Sequence, residues 1–306
     1  MALDWDDSYS GDLSFFRSGR TDDPESVDLA ILGIPYDLGT TGRPGARFGP
    51  RAIREQSVHV GEFEWGLWPW NFDVRDAHKV RDFGDVQGFT AYPDRLTPVV
   101  HEKAKSILAS GANLLCLGGD HFVSYPLLKA HAEIHGPLAL VHFDAHSDTW
   151  VDGDLNHGTM FYHGIREGWI DCSRSIHVGL RTPNPETHGI EIIDANACLE
   201  MSAQAVAARI KDRVGTAKAY LTFDIDFLDP AFAPATGTPV IGGPSVAYAR
   251  HVLEGLAGLD FVGGDQVEVA PHYEGPSQIT ALAGATIAAD ILYLLSLARS
   301  QRQDKI

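Results

Sequence analysis

The chain has 306 residues, 44% of them apolar and 21% charged, and a formal charge of −17. That length is ample for a large core, while the acidic balance, without any lysine- or arginine-rich block, argues against a nucleic-acid partner. The start, MALDWDDSYS, has neither the basic nor the apolar region of a secretory leader, and Cys116, Cys172 and Cys198 are odd in number and lack CxxC spacing, so a reducing cytoplasm is expected.

The first predicted strand is DLAILGI (28–34), followed by a glycine-punctuated loop, PYDLGTTGRPGARFGPRAIRE (35–55). A helix is expected over 93–110, a strand at NLLCLGG (113–119), a helix over 124–135 and a strand at LALVHFD (138–144). Then come a strand at SIHVGL (175–180), a helix over 202–214 and a strand at AYLTFDID (219–226). A helix over 245–257, a strand at FVGGDQVEV (261–269) and a last helix over 278–298 complete the pattern. Strands without a polar face, alternating with amphipathic helices, predict a mostly parallel sheet covered on both sides. No repeat or linker divides the chain, so one domain over 1–306 is expected. The apolar segment IAADILYLLSLA (287–298) is too short to span a bilayer and carries Asp290, so no membrane partner is expected.

In open parallel sheets, ligands bind beyond the carboxyl ends of the strands. Here four predicted strands lead into polar clusters at that end: Asp120 and His121; Asp144, His146 and Asp148; Asp224 and Asp226; and Glu268. Asp144, His146 and Asp148 stand at every second position and would share a face if strand geometry continued through them. Taken alone, an aspartate at a strand end is more often a helix cap. Four aspartates beside a core are different, because burying unpaired carboxylates costs several kcal/mol each and they repel one another. These stretches hold no lysine or arginine to offset them. Two divalent cations would balance the four aspartates, with His121 and His146 as neutral nitrogen ligands. Carboxylates with two imidazoles and no thiolate suit Mn²⁺ better than structural zinc.

These residues resemble the ureohydrolase family, which includes arginases and agmatinases. The matching stretches are GGDH (118–121), FDAHSD (143–148), FDIDFLDPAFAPATGTPVIGG (223–243), VEVAP (267–271) and the loop at 35–55. The resemblance implies an arginase-like three-layer α/β/α sandwich and a site with two Mn²⁺ per chain. Carried over by position, His121, Asp144, Asp148 and Asp224 would hold one ion, and His146, Asp144, Asp224 and Asp226 the other, with Asp144 and Asp224 as bridges. Glu268 resembles the anchor for the substrate guanidinium, His157 in NHGTMF a mobile-loop proton shuttle, and Asp148 a second proton carrier. Thr238 is expected to support the metal ligands. The implied chemistry is attack of a metal-bridging hydroxide on a guanidinium carbon, a centre whose resonance demands a strong nucleophile.

Subtypes of the family differ in what grips the far end of the substrate. The loop TWVDGDLNHGTMFYHG (149–164) carries Asp152 and Asp154, which would repel a carboxylate and tolerate an amine. With Asn156 and Thr238 as further contacts, it looks closest to the agmatinases, implying hydrolysis of the dication agmatine to putrescine and urea. A ureohydrolase acting on 4-guanidinobutyrate, 3-guanidinopropionate or arginine is the alternative, and a metal-dependent deacetylase, with one ion, a more distant one. The family also suggests a homo-oligomer, a trimer or hexamer. The glycines of the 35–55 loop lack the spacing of a P-loop or a dinucleotide fold and are expected to shape the rim of the site. His142 is expected to face away from Asp144 as a core or sheet-surface residue, and His177 likewise. Packing is the expected role of the tryptophans in FEWGLWPWNF (63–72), and of Cys116 in its apolar strand.

Overall fold

The structure is a computed structural model that describes residues 11–61, 67–88, 95–151, 154–184 and 186–303. Its strands are β1 (Leu29–Ile34), β2 (Val80–Asp85), β3 (Asn113–Gly118), β4 (Ala139–Phe143), β5 (Ile176–Leu180), β6 (Glu191–Asp194), β7 (Lys218–Asp224) and β8 (Asp260–Val267). β1, β3 and β4 are buried at every position, as continuous apolar runs require when both faces are covered. All neighbouring pairs are parallel, in the order β2-β1-β3-β8-β7-β4-β5-β6. The sequence misses β2 and β6. VRDFGD breaks its apolar run with Arg81 and Asp82, and EIID has four residues. Both are edge strands, where short length and charge are tolerated because one side has no strand to pair with.

The helices are α1 (Gly49–Val60), α2 (Val74–Ala77), α3 (Leu96–Leu108), α4 (Ser124–His135), α5 (Met160–Arg166), α6 (Ala195–Glu200), α7 (Ala203–Val214), α8 (Val246–Gly255) and α9 (Ile279–Gln303). Alternate strand residues feed two cores. Val141, Phe143, Leu221 and Phe223 pack with α1 and α6–α9, while Leu140 and Tyr220 pack with α3–α5 on the other face. This is the three-layer α/β/α sandwich expected from the resemblance. Serine caps set two helix starts: Ser202 Oγ accepts from Ala205 N–H and Ser245 Oγ from Tyr248 N–H, both at 3.2 Å. α1 is a correction to the reading of 35–55 as a rim throughout, since that loop closes at Gly49 and the next residues are helical.

α9 also exceeds its expected span. Its 25 residues are long and apolar enough to cross a bilayer by length and composition, yet 83% of the relevant window is buried inside the protein. Asp290 on its buried side accepts from Trp70 Nε1 at 2.7 Å and pairs with Arg250 at 2.8 Å. Trp70 stacks on Tyr293 at 5.5 Å, a packing role as expected. Trp68 is exposed, and Trp65 lies outside the described residues. What positions the site is the strand order: β3, β8, β7 and β4 are consecutive at the centre of the sheet. The four polar clusters therefore leave four adjacent strands at one end.

Candidate active site

The turn after β3 runs through Gly119, where an added Cβ would lie 1.7 Å from Tyr36 O, so only glycine fits. Asp120 points beneath the 35–55 loop, accepting from Gly39 N–H at 2.7 Å. His121 points to the centre. Its Nδ1 lies 3.0 Å from Asp144 Oδ2, 2.8 Å from Asp148 Oδ2 and 3.3 Å from Asp224 Oδ2. A second cluster surrounds His146 Nδ1, 3.4 Å from Asp144 Oδ1 and 3.1 Å from Asp226 Oδ2. Asp144 thus offers one oxygen to each cluster. Asp224 lies with His121, and its other oxygen accepts Asp226 N–H at 2.8 Å. Strand alternation does not produce this convergence, because β4 stops at Phe143 and Asp148 takes a left-handed φ of 52°. Such a conformation is costly for a non-glycine residue and is kept where the surroundings over-determine it.

The electrostatics show what the clusters attract. Burial opposes a charged His121, but Asp144, Asp148 and Asp224 overturn that and hold its pKa well above the usual histidine range. Burial likewise opposes charge on His146, and Asp144 and Asp226 push it up to about 12. Burial and the neighbouring carboxylates push Asp224 well up, and burial with Asp144 raises Asp226 to about 6. The crowded negative charge favours added positive charge at these groups. His121 Nδ1 makes no hydrogen bond of proper geometry although three carboxylates surround it. An orphaned imidazole nitrogen inside a ring of carboxylate oxygens suits a divalent cation, so the residues fit a metal centre.

Behind the ligands lies a layer that sequence reasoning missed. His121 Nε2 is 2.7 Å from Thr222 Oγ1, which donates to Asp265 Oδ1 at 2.6 Å. Asp265 Oδ2 also accepts from Ser124 Oγ at 2.7 Å and Tyr220 Oη at 2.8 Å. With Thr222 donating to the carboxylate, its oxygen accepts from His121 Nε2–H, which leaves Nδ1 to face the cluster. The sequence signal was Asp265, beside Gln266 in the middle of the run FVGGDQV, an aspartate that must find partners when buried. His142 is a correction. Residues two apart share a strand face, and His142 Nε2 lies 2.9 Å from Asp144 Oδ2 instead of facing away. His177 stacks on His142 with ring centroids 4.3 Å apart and reaches Asp144 O at 3.2 Å. Arg181 is a further omission: its guanidinium donates to the carbonyls of Asp226, Phe227, Leu228 and Val240, fixing the turn after β7.

A cavity of about 370 Å³ opens over these ligands, lined by Thr41, His146, Asp148, Trp150, Val151, Asn156, His157, Gly158, Thr159, Asp224 and Thr238. Asn156 and Thr238 are among the lining residues, and Thr238 Oγ1 donates to Asp226 Oδ2 at 3.3 Å. Asp154 does not line the cavity; its side chain is exposed while its carbonyl accepts from Thr159 Oγ1 at 2.7 Å. Asp152 lies outside the described residues. Glu268 follows β8 with a left-handed φ of 66° and is 1% exposed. Its Oε1 accepts His121 N–H at 2.9 Å and contacts His157 Nδ1 at 2.9 Å, whereas Oε2 has no partner among the described residues.

The arginase family model matches residues 27–293. A relative from Chromobacterium violaceum, named agmatinase, is 49% identical over 294 residues, covering 95% of this chain and 90% of its own. Among solved structures, a hypothetical agmatinase from Burkholderia thailandensis superposes with a TM-score of 0.92 at 49% identity, covering 98% of this chain and 94% of the other. Proclavaminate amidino hydrolase from Streptomyces clavuligerus gives 0.88 at 36% identity, covering 95% and 99%. Matched over most of its length by sequence and by fold, the chain belongs to the arginase family.

Proposed function

We propose that the protein is a dimanganese agmatinase that hydrolyses agmatine to putrescine and urea. The observation that carries the choice of substrate is the cavity lining, which among the described residues contains no lysine or arginine. A substrate with a carboxylate at its far end would lose its hydration there without gaining a cationic partner. An amine meets Asn156, the hydroxyl of Thr159 and the indole of Trp150, all compatible with positive charge. The agmatinases among the relatives support the same substrate.

His121, Asp144, Asp148 and Asp224 would hold one ion, and His146, Asp144, Asp224 and Asp226 the other. Bound there, the ions would lower the pKa of water and polarise the reacting carbon. The shared use of Asp144 by both clusters favours two ions over the single ion of a deacetylase. Glu268 then orients the guanidinium, its free Oε2 and its Oε1 matching a two-pronged donor. Asp148 and His157 flank the reacting centre and move protons toward the departing amine. Three unpaired cysteines support a cytoplasmic setting, and the family resemblance supports a homo-oligomer.

Urea release from Mn²⁺-loaded protein, measured on agmatine, arginine, 4-guanidinobutyrate and 3-guanidinopropionate, tests the assignment. Agmatine is expected to be fastest; faster release from any of the other three overturns it.

A further inference from the structure

We propose that Thr41, in the glycine-punctuated loop between β1 and α1, is the positioning residue for His157, holding it as a neutral Nδ1–H tautomer on Glu268 until a guanidinium takes that carboxylate. The inference deepens the reading above and rests on it for the identity of the displacing ligand. His157 Nε2 faces Thr41 twice, 2.9 Å from the backbone nitrogen and 2.7 Å from Oγ1. A backbone N–H can only donate. Nε2 must therefore present its lone pair, and the ring hydrogen sits on Nδ1, 2.9 Å from Glu268 Oε1.

Opposing influences meet on this ring. Burial resists charge, while Glu268, with Asp148 and Asp120 farther off, pulls the pKa up to about 9. Those carboxylates alone would leave an imidazolium at neutral pH. The Thr41 amide opposes that state, since a proton on Nε2 would meet the N–H head-on. The ring can gain its second proton only if Thr41 or the imidazole moves.

The loop is built to keep the amide in place. His157 N–H donates to Gly39 O at 3.1 Å, and Gly39 N–H donates to Asp120 Oδ2 at 2.7 Å. On the other side Arg43 Nη2 donates to Thr236 O at 2.7 Å, and an added Cβ on Gly42 would lie 2.7 Å from Thr238 Cγ2. Thr41 is thus suspended between the turn after β3 and the 236–238 segment.

Glu268 can release His157 to one kind of competitor. A guanidinium brings full charge and two parallel N–H groups to a carboxylate whose Oε2 has no partner. An imidazole N–H offers one neutral bond. Urea, also neutral, loses that advantage, so His157 returns to Glu268 as the product leaves. Thr41 in this way couples guanidinium arrival to release of the proton carrier.

Imidazole nitrogen NMR on the full-length, histidine-labelled protein tests the tautomer directly, metal-free and with diamagnetic Mg²⁺. The His157 signals are assigned by their loss in His157→Gln. At pH 7.5 the expected pattern is a protonated Nδ1 and an unprotonated Nε2; a doubly protonated ring or an Nε2–H tautomer overturns the proposal. This readout needs no substrate, so it fails or succeeds independently of the agmatine assignment. In turnover of agmatine, Thr41→Val weakens the resting contact, so KM falls about 2- to 10-fold, the range of one hydrogen bond. The proton carrier is then less well placed and kcat falls with it, while Thr41→Ser restores both. An unchanged or raised KM in Thr41→Val overturns the latch.

Discussion

Replacing Thr222 with valine keeps the side-chain volume and deletes one oxygen, the atom between His121 Nε2 and Asp265 Oδ1 at 2.7 and 2.6 Å. Both neighbours are buried, at 1% and 0% exposure. The valine leaves an imidazole N–H and a carboxylate oxygen without partners, and each such loss costs about 1–3 kcal/mol. Asp265 keeps Tyr220 and Ser124 on its other oxygen, which places the expected loss of folding stability near the low end of that sum, about 2–3 kcal/mol. Metal affinity falls for a separate reason: without Thr222 nothing fixes which ring nitrogen of His121 carries the proton. Loss of such a partner typically weakens metal binding about 10- to 100-fold. Calorimetric titration with Mn²⁺ at pH 7.5 measures the affinity, and urea denaturation of the metal-free protein measures the stability, with Thr222→Ser as the control that retains the hydroxyl. Wild-type manganese affinity in Thr222→Val would refute the tautomer argument even if stability fell.

Asp224→Ala is expected to abolish urea release and remove at least one metal per chain; full metal content by elemental analysis would contradict the bridging role proposed for it. Metal binding should release protons, because the metal-free protein holds His146 up to about 12 and Asp226 up to about 6. At pH 7 His146 must give up a proton to bind an ion, and below about 6 Asp226 must as well, so affinity weakens throughout as pH falls and more steeply below 6. Titration in buffers of different ionisation enthalpy counts the protons, and a count of zero at pH 7 contradicts the electrostatic picture. Arg54→Met removes a guanidinium that pairs with Asp82 at 2.7 Å and Asp85 at 2.5 Å, leaving Asp82 fully buried. Breaking a buried pair in this way costs about 3–5 kcal/mol, read as a lower denaturation midpoint; a loss smaller than about 1 kcal/mol would show that Arg20, 3.7 Å from Asp82, and the amides of Phe15 and Gly84, which donate to it, suffice. Glu268→Gln keeps the shape and loses the charge, so kcat/KM for agmatine is expected to drop about 10- to 100-fold, and a wild-type value would remove Glu268 from substrate binding.

The sequence by itself determined the strands that carry no polar face, the helices between them, and the polar residues at the strand ends. β1, β3, β4, β5, β7 and β8 were legible because parallel strands buried on both sides must be continuously apolar. His121, Asp144, His146, Asp148, Asp224 and Asp226 were legible because charge beside a core demands a counter-charge. The edge strands were not, since an edge tolerates the charges of β2 and the shortness of β6. Only the tertiary structure decided which groups face one another. The strand order sets β3, β8, β7 and β4 side by side, and a left-handed Asp148 turns its carboxylate toward His121. Asp265 reads as an isolated acid until β7 brings Thr222 and Tyr220 to it and α4 brings Ser124. Thr41 reads as loop filler until His157 arrives from more than a hundred residues away. Periodicity and charge act locally along the chain, whereas a hydrogen bond depends on two groups meeting within about 3 Å, and for these residues only the folded sheet brings them that close.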